Sequence, residues 1–248
     1  MNRSSVYKAL VLRSRPFGES NREAWFLTAE AGLMRAAVFG GPKSRMRSYA
    51  SPFHSGMAWM YHDPVKDSRK LTDFDVKEWR PGIRELYDRV MAADAAAETI
   101  IASHGGGGNW EKGFSLAASM LDALEFADIV MCNRLLIHFL WKWADFIGLR
   151  PEFDHCSHCG EPVPSGSMLW HIPGEGGLAC ASCLDAAQKL KYWEAGPGCR
   201  HWLETVFPLS PGVISRYTLD KKSFHESKSL VTAILAEALG KKLASWEW

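Results

Sequence analysis

The sequence predicts an α+β protein in which a small closed β-barrel is followed by an α-helical domain. Short segments of β-forming or alternating residues fill the first 80 of the 248 residues. After Pro81-Gly82 the spacing of apolar residues becomes that of helices. Two closely spaced pairs of cysteines interrupt the helical part. We therefore predict a barrel domain over residues 1–80 and a helical domain over residues 83–248, with a cysteine module at residues 150–190.

The barrel is predicted from about five short strands. Residues 6–13 are rich in β-forming side chains, and residues 25–39 have the pattern of a hairpin with Gly32 at its turn. Residues 56–61 and 71–79 add alternating segments, which brings the total to the size of a small closed barrel. From this pattern alone an oligonucleotide-binding (OB) barrel, a sandwich and an SH3-like barrel all remain open. In the last strand one face is predicted to hold Leu71, Asp73 and Asp75, and the other Thr72, Phe74 and Val76.

The helical domain is predicted from apolar residues that recur at helical spacing over residues 83–101, 113–125, 129–147 and 227–243. Gly105 to Gly108 lie between the first two of these segments. A phosphate-binding loop would need a preceding strand and a following Gly-Lys-Ser/Thr, and neither is present. We therefore interpret the four glycines as a flexible connection between helices.

Composition excludes several classes of protein. Apolar residues make up 47% and charged residues 23%, which is ordinary for a globular protein and excludes disordered and collagen-like chains. No segment reaches the roughly 18 consecutive apolar residues of a membrane span. The N-terminus lacks a secretory apolar region, so we expect a cytoplasmic protein with free thiols.

Cys156, Cys159, Cys180 and Cys183 form the pattern C-x2-C-x20-C-x2-C. Two residues between the members of a pair allow one tight turn to aim both thiolates at one ion, and Zn²⁺ prefers four such ligands in a tetrahedron. We therefore predict one zinc ion per chain. Because four cysteines leave no open position for water or substrate, the zinc is predicted to be structural. The alternatives are unrelated buried thiols or two redox pairs.

Histidines near these cysteines offer a second possible donor. His155, His158 and His171 could replace one cysteine ligand, but surface or neighbouring roles are the simpler interpretation. Cys132 and Cys199 have no metal-ligand spacing and are interpreted as core residues.

The formal net charge of +1 conceals an uneven distribution. Residues 1–80 hold fourteen Lys and Arg against eight Asp and Glu, whereas residues 81–248 hold fifteen against twenty. A basic front with interleaved aromatic residues is typical of a surface that neutralises phosphates and stacks bases. The predicted DNA-binding residues are Arg13, Arg15, Arg22, Arg35, Lys43, Arg45 and Arg47.

We find no nucleophile elbow, Walker A loop or His-Glu-x-x-His motif, so the sequence gives no argument for an enzyme. Asp63, Asp67, Asp73 and Asp75 could hold magnesium in a nuclease. They lie among Lys66, Arg69 and Lys70, so a charge-balanced hairpin is the preferred interpretation.

In order and spacing, the motifs along nearly the whole chain resemble the RecO family of bacterial recombination mediators. The matching segments are the opening strand and polar turn at 9–20 (ALVLRSRPFGES), the first hairpin at 26–33 (FLTAEAGL), the basic loop at 41–45 (GPKSR) followed by Pro52-Phe53, and the zinc module at 147–151 (IGLRP), 156–160 (CSHCG) and 176–180 (GGLAC).

The resemblance implies an N-terminal OB fold, then a helical domain with a zinc module. It also implies a nucleoid-associated protein that binds single- and double-stranded DNA and anneals complementary strands. The implied partners are RecR and single-stranded DNA-binding protein, with which such a mediator helps to load RecA onto coated single strands. The family's basic loop corresponds to Lys43, Arg45 and Arg47, and the end of its first strand corresponds to Arg13 and Arg15. Its zinc ligands, which some members lack, correspond to the four cysteines.

Two features depart from the family pattern, namely the insertion Gly105–Gly108 and the eleven tryptophans. A zinc-ribbon accessory factor that binds duplex DNA or RNA without annealing is the alternative function.

The final predicted helix carries a hypothesis about a partner. The acidic tail of single-stranded DNA-binding protein would need a basic, apolar groove. Such a groove could be formed by three leucines and three lysines, namely Leu235, Leu239, Leu243, Lys228, Lys241 and Lys242. The alternative is that the leucines pack in the core.

Overall fold

The computed structural model describes residues 3–247 of the chain. It divides into two compact units, of which the first ends at Cys132 and the second begins at Asn133. The barrel strands end at Glu78, and a 3₁₀ helix, Pro81–Glu85, follows them. The first unit therefore contains helices beyond the barrel. The predicted domain division between residues 80 and 83 stays a prediction.

The first unit contains the predicted five-stranded barrel. Its strands are β1 (Ser4–Phe17), β2 (Asn21–Thr28), β3 (Gly32–Val38), β4 (Ser55–Asp63) and β5 (Ser68–Glu78). The closed order is β1-β2-β3-β5-β4, with antiparallel pairing except between β3 and β5, where Ala37 lies opposite Lys70 in a parallel contact. This is the OB architecture, so the predicted fold class is confirmed. The predicted hairpin turn is also confirmed, because Thr28 lies opposite Gly32.

The barrel interior is apolar because alternate residues of each strand point inward. In β3 the buried residues are Gly32, Met34, Ala36 and Val38. Phe26 and Phe74 meet edge to face inside the barrel, with ring centroids 6.2 Å apart. Helix α1 (Arg45–Tyr49) packs against this core through the partly buried Met46 and Tyr49.

The predicted alternation of β5 is wrong. Leu71 and Phe74 are both buried, although strict alternation would place them on opposite faces. The register between β4 and β5 shifts between Trp59 and Met60, which lie opposite Asp73 and Leu71. Thr72 is thus the extra residue of a β-bulge, and its hydroxyl donates to the carbonyl of Trp59 at 3.0 Å.

Two long helices, α2 (Tyr87–Ala102) and α3 (Trp110–Leu124), pack against the barrel strands β1 to β3. Arg80 fixes the junction that leads to them: it is 3% exposed, and its guanidinium donates to the Phe53 carbonyl and to Asp122 at 2.7 Å each. The four-glycine segment connects α2 and α3, as predicted.

Helix α4 (Ile129–Phe146) crosses the boundary between the two units. The second unit also holds a three-stranded sheet with strand order β7-β6-β8, and two further long helices. Several tryptophans of this unit are buried, among them Trp141, Trp143, Trp202 and Trp246. Core packing therefore explains part of the high tryptophan content. The remaining elements are β6 (Leu169–His171), β7 (Leu178–Cys180), α5 (Ala186–Lys191), β8 (Trp193–Ala195), α6 (Pro197–Val206) and α7 (Lys221–Leu239), with 3₁₀ helices at Ala181–Cys183, Pro211–Arg216 and Ala244–Trp246.

The final helix begins six residues earlier and ends four residues earlier than predicted. Asp220 caps its N-terminus by accepting hydrogen bonds from the amides of Lys222 and Ser223. Gly240 ends it in the left-handed conformation, at φ 65°. In the part of the chain that the structure describes, no helix has the length and apolar content that crossing a membrane requires.

Candidate metal centre and nucleic-acid surface

The four predicted cysteine ligands meet at one point in the second unit, where their sulfur atoms all lie within 4.8 Å of one another. The Sγ atoms of Cys156 and Cys183 are 3.8 Å apart, those of Cys159 and Cys180 are 3.9 Å apart, and those of Cys180 and Cys183 are 3.6 Å apart. A tetrahedron with Zn–S bonds of about 2.3 Å has edges of about 3.8 Å. The cluster therefore has the dimensions of a tetrahedral metal site.

Two tight turns aim these thiols. The amide of Gly160 donates to the carbonyl of Cys156 at 2.9 Å, which closes the first turn around Cys159. In the second pair, Cys180 is the last residue of β7, and Cys183 is the last residue of the 3₁₀ helix Ala181–Cys183 that follows it. The amide of Cys180 donates to the sulfur of Cys156 at 3.3 Å, so the backbone links the two turns.

The electrostatics of the cluster favour a cation. Burial opposes ionisation of Cys156, but hydrogen bonds from the amides of Cys159, Cys180 and His158 outweigh it and lower the pKa of this thiol to about 6. Hydrogen bonds with Cys159 and Cys180 raise the pKa of Cys183 to about 12. The thiols thus do not all ionise together without a positive charge among them, and a thiolate-binding metal ion would supply that charge.

The neighbouring histidines do not join the cluster. Within residues 3–247 the converging group of metal-ligand side chains consists of the four cysteines. His155 pairs with Asp154 at 3.1 Å, and His158 pairs with Glu175. His171 is buried, with its Nε2 3.3 Å from a carboxylate oxygen of Glu237. Cys132 and Cys199 are buried away from the group, as predicted.

The predicted DNA-binding residues fall into two groups. The first group lies on the outer face of the barrel, where Arg13, Trp25 and Arg35 stand opposite one another on β1, β2 and β3. Arg15 is next along β1, and its guanidinium lies 4.7 Å from the centre of the Trp25 ring. Arg15 also binds the Glu23 carboxylate at 2.7 Å, so part of its charge is already neutralised.

The second group is the basic loop, residues 41–47, which runs from the end of β3 into α1. Lys43 and Arg45 are exposed and Arg47 is half-buried. None of the three side chains has a hydrogen bond or ion pair with another residue of the described range 3–247. Arg22 differs, because its guanidinium donates to the hydroxyl of Ser14 at 2.9 Å.

One cation on the barrel, Lys70, has a position that the sequence does not predict. The sequence places it with Arg69 in a charge-balanced hairpin, but the parallel contact of β5 with β3 brings Lys70 beside Ala37. Its ammonium lies 5.0 Å from the centre of the Phe39 ring. This position of Lys70 depends on the pairing of β3 with β5, which are distant in the sequence. No local sequence pattern could therefore have predicted it.

The four aspartates of the nuclease alternative have local roles. Asp63 accepts the amide of Val65 at the turn between β4 and β5, and Asp67 binds His62 at 3.0 Å. Asp75 pairs with Lys77 at 2.7 Å, and Asp73 accepts the amide of Phe74. In the described residues these carboxylates do not form a converging group.

The three leucines predicted to form a groove on the final helix do not line a cavity. Leu235 and Leu243 are buried, so core packing explains these leucines. On another side of α7 a cavity of about 730 Å³ opens, with Trp193, Ala236 and Trp246 in its wall. Lys228, Lys241 and Lys242 also line this cavity.

Known proteins resemble this chain over nearly its whole length. The family model described as recombination protein O, N terminal, matches residues 1–78, and the C-terminal model of the same family matches residues 84–247. A protein named DNA repair protein RecO from Desulfitobacterium hafniense is 31% identical over 96% of this chain and 86% of its own length. Proteins of the same name from Rubrobacter xylanophilus and Anaeromyxobacter sp. are 29% and 28% identical, over 84% and 95% of this chain and 77% and 92% of their own lengths.

Proposed function

The chain belongs to the RecO family of DNA repair proteins, and we propose that it is a non-catalytic mediator that binds single- and double-stranded DNA and anneals complementary strands. With RecR, it helps to load RecA onto single strands coated by single-stranded DNA-binding protein. The observation that carries this proposal is the set of cations on the barrel and basic loop, of which Arg35, Lys43, Arg45 and Arg47 have no carboxylate partner among residues 3–247.

The mechanism follows from the charge of this surface. Two complementary strands repel each other because both carry phosphates, and bound cations reduce that repulsion. Contacts to phosphates leave the base edges free, so the strands can pair while they are held. Arg13 and Arg35 on the barrel face and the three cations of the basic loop are the residues proposed for these contacts.

The metal proposed for the cysteine cluster is zinc, one ion per chain, held by Cys156, Cys159, Cys180 and Cys183. Four thiolates close the coordination sphere, so the ion contributes to folding and supplies no site for substrate. The sulfur separations and the lowered pKa of Cys156 support this assignment.

The acidic tail of single-stranded DNA-binding protein is the partner proposed for the cavity beside α7. Its wall combines the Trp193 and Trp246 rings with three lysines and two glutamates, of which Glu247 pairs with Lys242 at 3.4 Å. The lysines suit the carboxylates of such a peptide, and the rings suit its apolar side chains. Burial, followed by the nearby Lys242 charge, lowers the pKa of Lys228, and the Glu247 carboxylate opposes this shift. A labelled tail peptide should bind more weakly when Lys241 and Lys242 are both changed to glutamate; unchanged binding rejects this docking site.

The place of action proposed for such a protein is the cytoplasm, at the nucleoid.

An annealing assay tests the proposed function. Complementary single strands are mixed with and without the protein, in the presence and absence of magnesium. The proposal predicts faster duplex formation without cleavage. Cleavage that needs magnesium would instead indicate a nuclease, and binding without acceleration would indicate an accessory factor that only holds nucleic acid.

A further inference from the structure

A cavity of about 570 Å³ lies on the outer face of the barrel, between strands β2 and β3 and the C-terminal end of α2. Its volume is within the range of small-ligand sites. It lies within the first compact unit, and its walls combine rings, an apolar side chain and cations. The residues that define it are Phe17, Trp25, Leu33, Arg35, Arg69 and His104.

Aromatic rings form two sides of this cavity. Trp25 lies between Arg13 and Arg35 in the cross-strand row, and the Arg15 guanidinium covers one face of its ring. Phe17 stands at the end of β1 and is 47% exposed. A large ring exposed at the entrance of a cavity offers a flat apolar surface that binds another flat ring well.

The charges in the cavity favour an anion beside that ring. Two carboxylates line it, but Glu23 is paired with Arg15, and Asp67 is hydrogen-bonded to His62 and lies near the positive charge of Arg69. Arg35 has no hydrogen bond or ion pair within residues 3–247 and is free to bind another group. A ligand that combines an aromatic ring with a nearby phosphate matches both parts of the lining.

Ile101, in the last turn of α2, and His104, just after this helix, form the wall opposite the barrel. Helix α2 ends at Ala102, and the chain then turns through His104 at φ 53° and Gly105 at φ 80°. A Cβ atom at Gly105 would lie 3.0 Å from the Cβ of Leu33, so a side chain there would push this turn away from the barrel. The glycine thus allows His104 and Ile101 to stand over the cavity.

We propose that this cavity holds one unpaired nucleobase of a single DNA strand, stacked beside Phe17 and Trp25, with Arg35 and Arg69 at the adjoining phosphates. The inference rests on the proposed DNA binding and adds the place where a base is recognised. Bases inside a duplex are already stacked and paired, so the cavity favours single strands over double strands.

Two oligonucleotides with the same number of phosphates test this inference. One is an oligothymidine of about 16 nucleotides, the upper site size of a single OB fold, and the other is an abasic strand of the same length. Fluorescence anisotropy gives the affinity of the full-length protein for each. The wild-type protein should bind the oligothymidine at least about fivefold more tightly, because stacking of one base on an aromatic ring contributes that much or more.

The variant Phe17→Ala should bring this ratio close to one while leaving the affinity for the abasic strand unchanged, because the phosphate contacts remain. Phe126→Ala is the matched control, since Phe126 is a phenylalanine of the same unit, is 82% exposed and lies in the turn between α3 and α4. It should keep the wild-type ratio. Thermal unfolding of both variants checks that the fold is intact.

The results separate this inference from the proposed function. If the wild type binds both oligonucleotides equally, or if Phe17→Ala keeps the full preference for bases, the base site is rejected while DNA binding stands. If Phe126→Ala loses the preference as fully as Phe17→Ala, the cavity is not its source and the site is also rejected. If the wild type binds neither oligonucleotide, the proposed DNA binding itself fails, and the base site fails with it.

Discussion

The barrel encloses a continuous apolar core built from five strands, whereas the cysteine module of residues 150–190 surrounds four thiols with strands of only three residues. Burial of apolar surface is enough to hold a barrel of this size. In the cysteine module the four thiols lie among short strands and turns, and the metal ion proposed for them would contribute to its folding. The two regions therefore differ in what their folding depends on.

The same two regions differ in their chemistry. Cations project from the barrel and the basic loop toward solvent, where they remain available to a ligand. Next to the cysteine module, the buried Arg200 of α6 donates to the carbonyls of Phe153, Pro164 and Ser167, which all belong to the module. The chain itself therefore holds Arg200, and these hydrogen bonds stabilise the module.

The largest expected effect follows from removing a metal ligand. Cys180→Ser should reduce the metal content from about one ion per chain to nearly none, and the module should lose stabilisation on the order of 10 kcal/mol. Hydrogen exchange should then rise over residues 150–190 and remain low in the barrel core around Phe26. Elemental analysis and exchange mass spectrometry measure both effects.

Cys132→Ala is the control for that experiment, because Cys132 is a buried thiol outside the cluster. It should keep the full metal content. A wild-type protein purified without chelator that contains no metal would contradict the metal assignment, and equal loss of protection in barrel and module would contradict the difference between the two regions.

A much smaller effect is expected from removing one cation of the basic loop. If Lys43 contacts a phosphate, Lys43→Ala should reduce the slope of log affinity against log salt by about 0.7 for single-stranded DNA. Lys66→Ala is the matched control, since Lys66 is an exposed lysine of the turn between β4 and β5. Titrations at several salt concentrations measure the slope, and the same reduction in both variants would show that only net charge matters.

Local patterns predicted much of this molecule. The hairpin at Gly32, the change to helices after Pro81 and the spacing of the four cysteines all depend on residues close together in the chain. Turn chemistry and ligand spacing act over a few residues, so sequence alone contains this information.

The features that the sequence did not predict depend mostly on contacts between residues that are far apart in the chain. The bulge at Thr72 appears only in the register of β5 against β4, and the position of Lys70 depends on the parallel contact with β3. The pairing of Arg15 with Glu23 across β1 and β2 likewise decides how much of the positive charge of Arg15 remains available to a ligand. The early start of α7 is different, because Asp220 is a local capping signal that helical periodicity alone passed over.

We propose that cations of the barrel unit bring DNA strands together, whereas the cysteine module has a separate, structural role. The annealing rate of a variant in which Lys43, Arg45 and Arg47 are all changed to glutamate tests it most directly, with metal content measured on the same sample. We predict that annealing is abolished and that one metal ion per chain is retained. Annealing at the wild-type rate in a folded, metal-containing variant would contradict the claim.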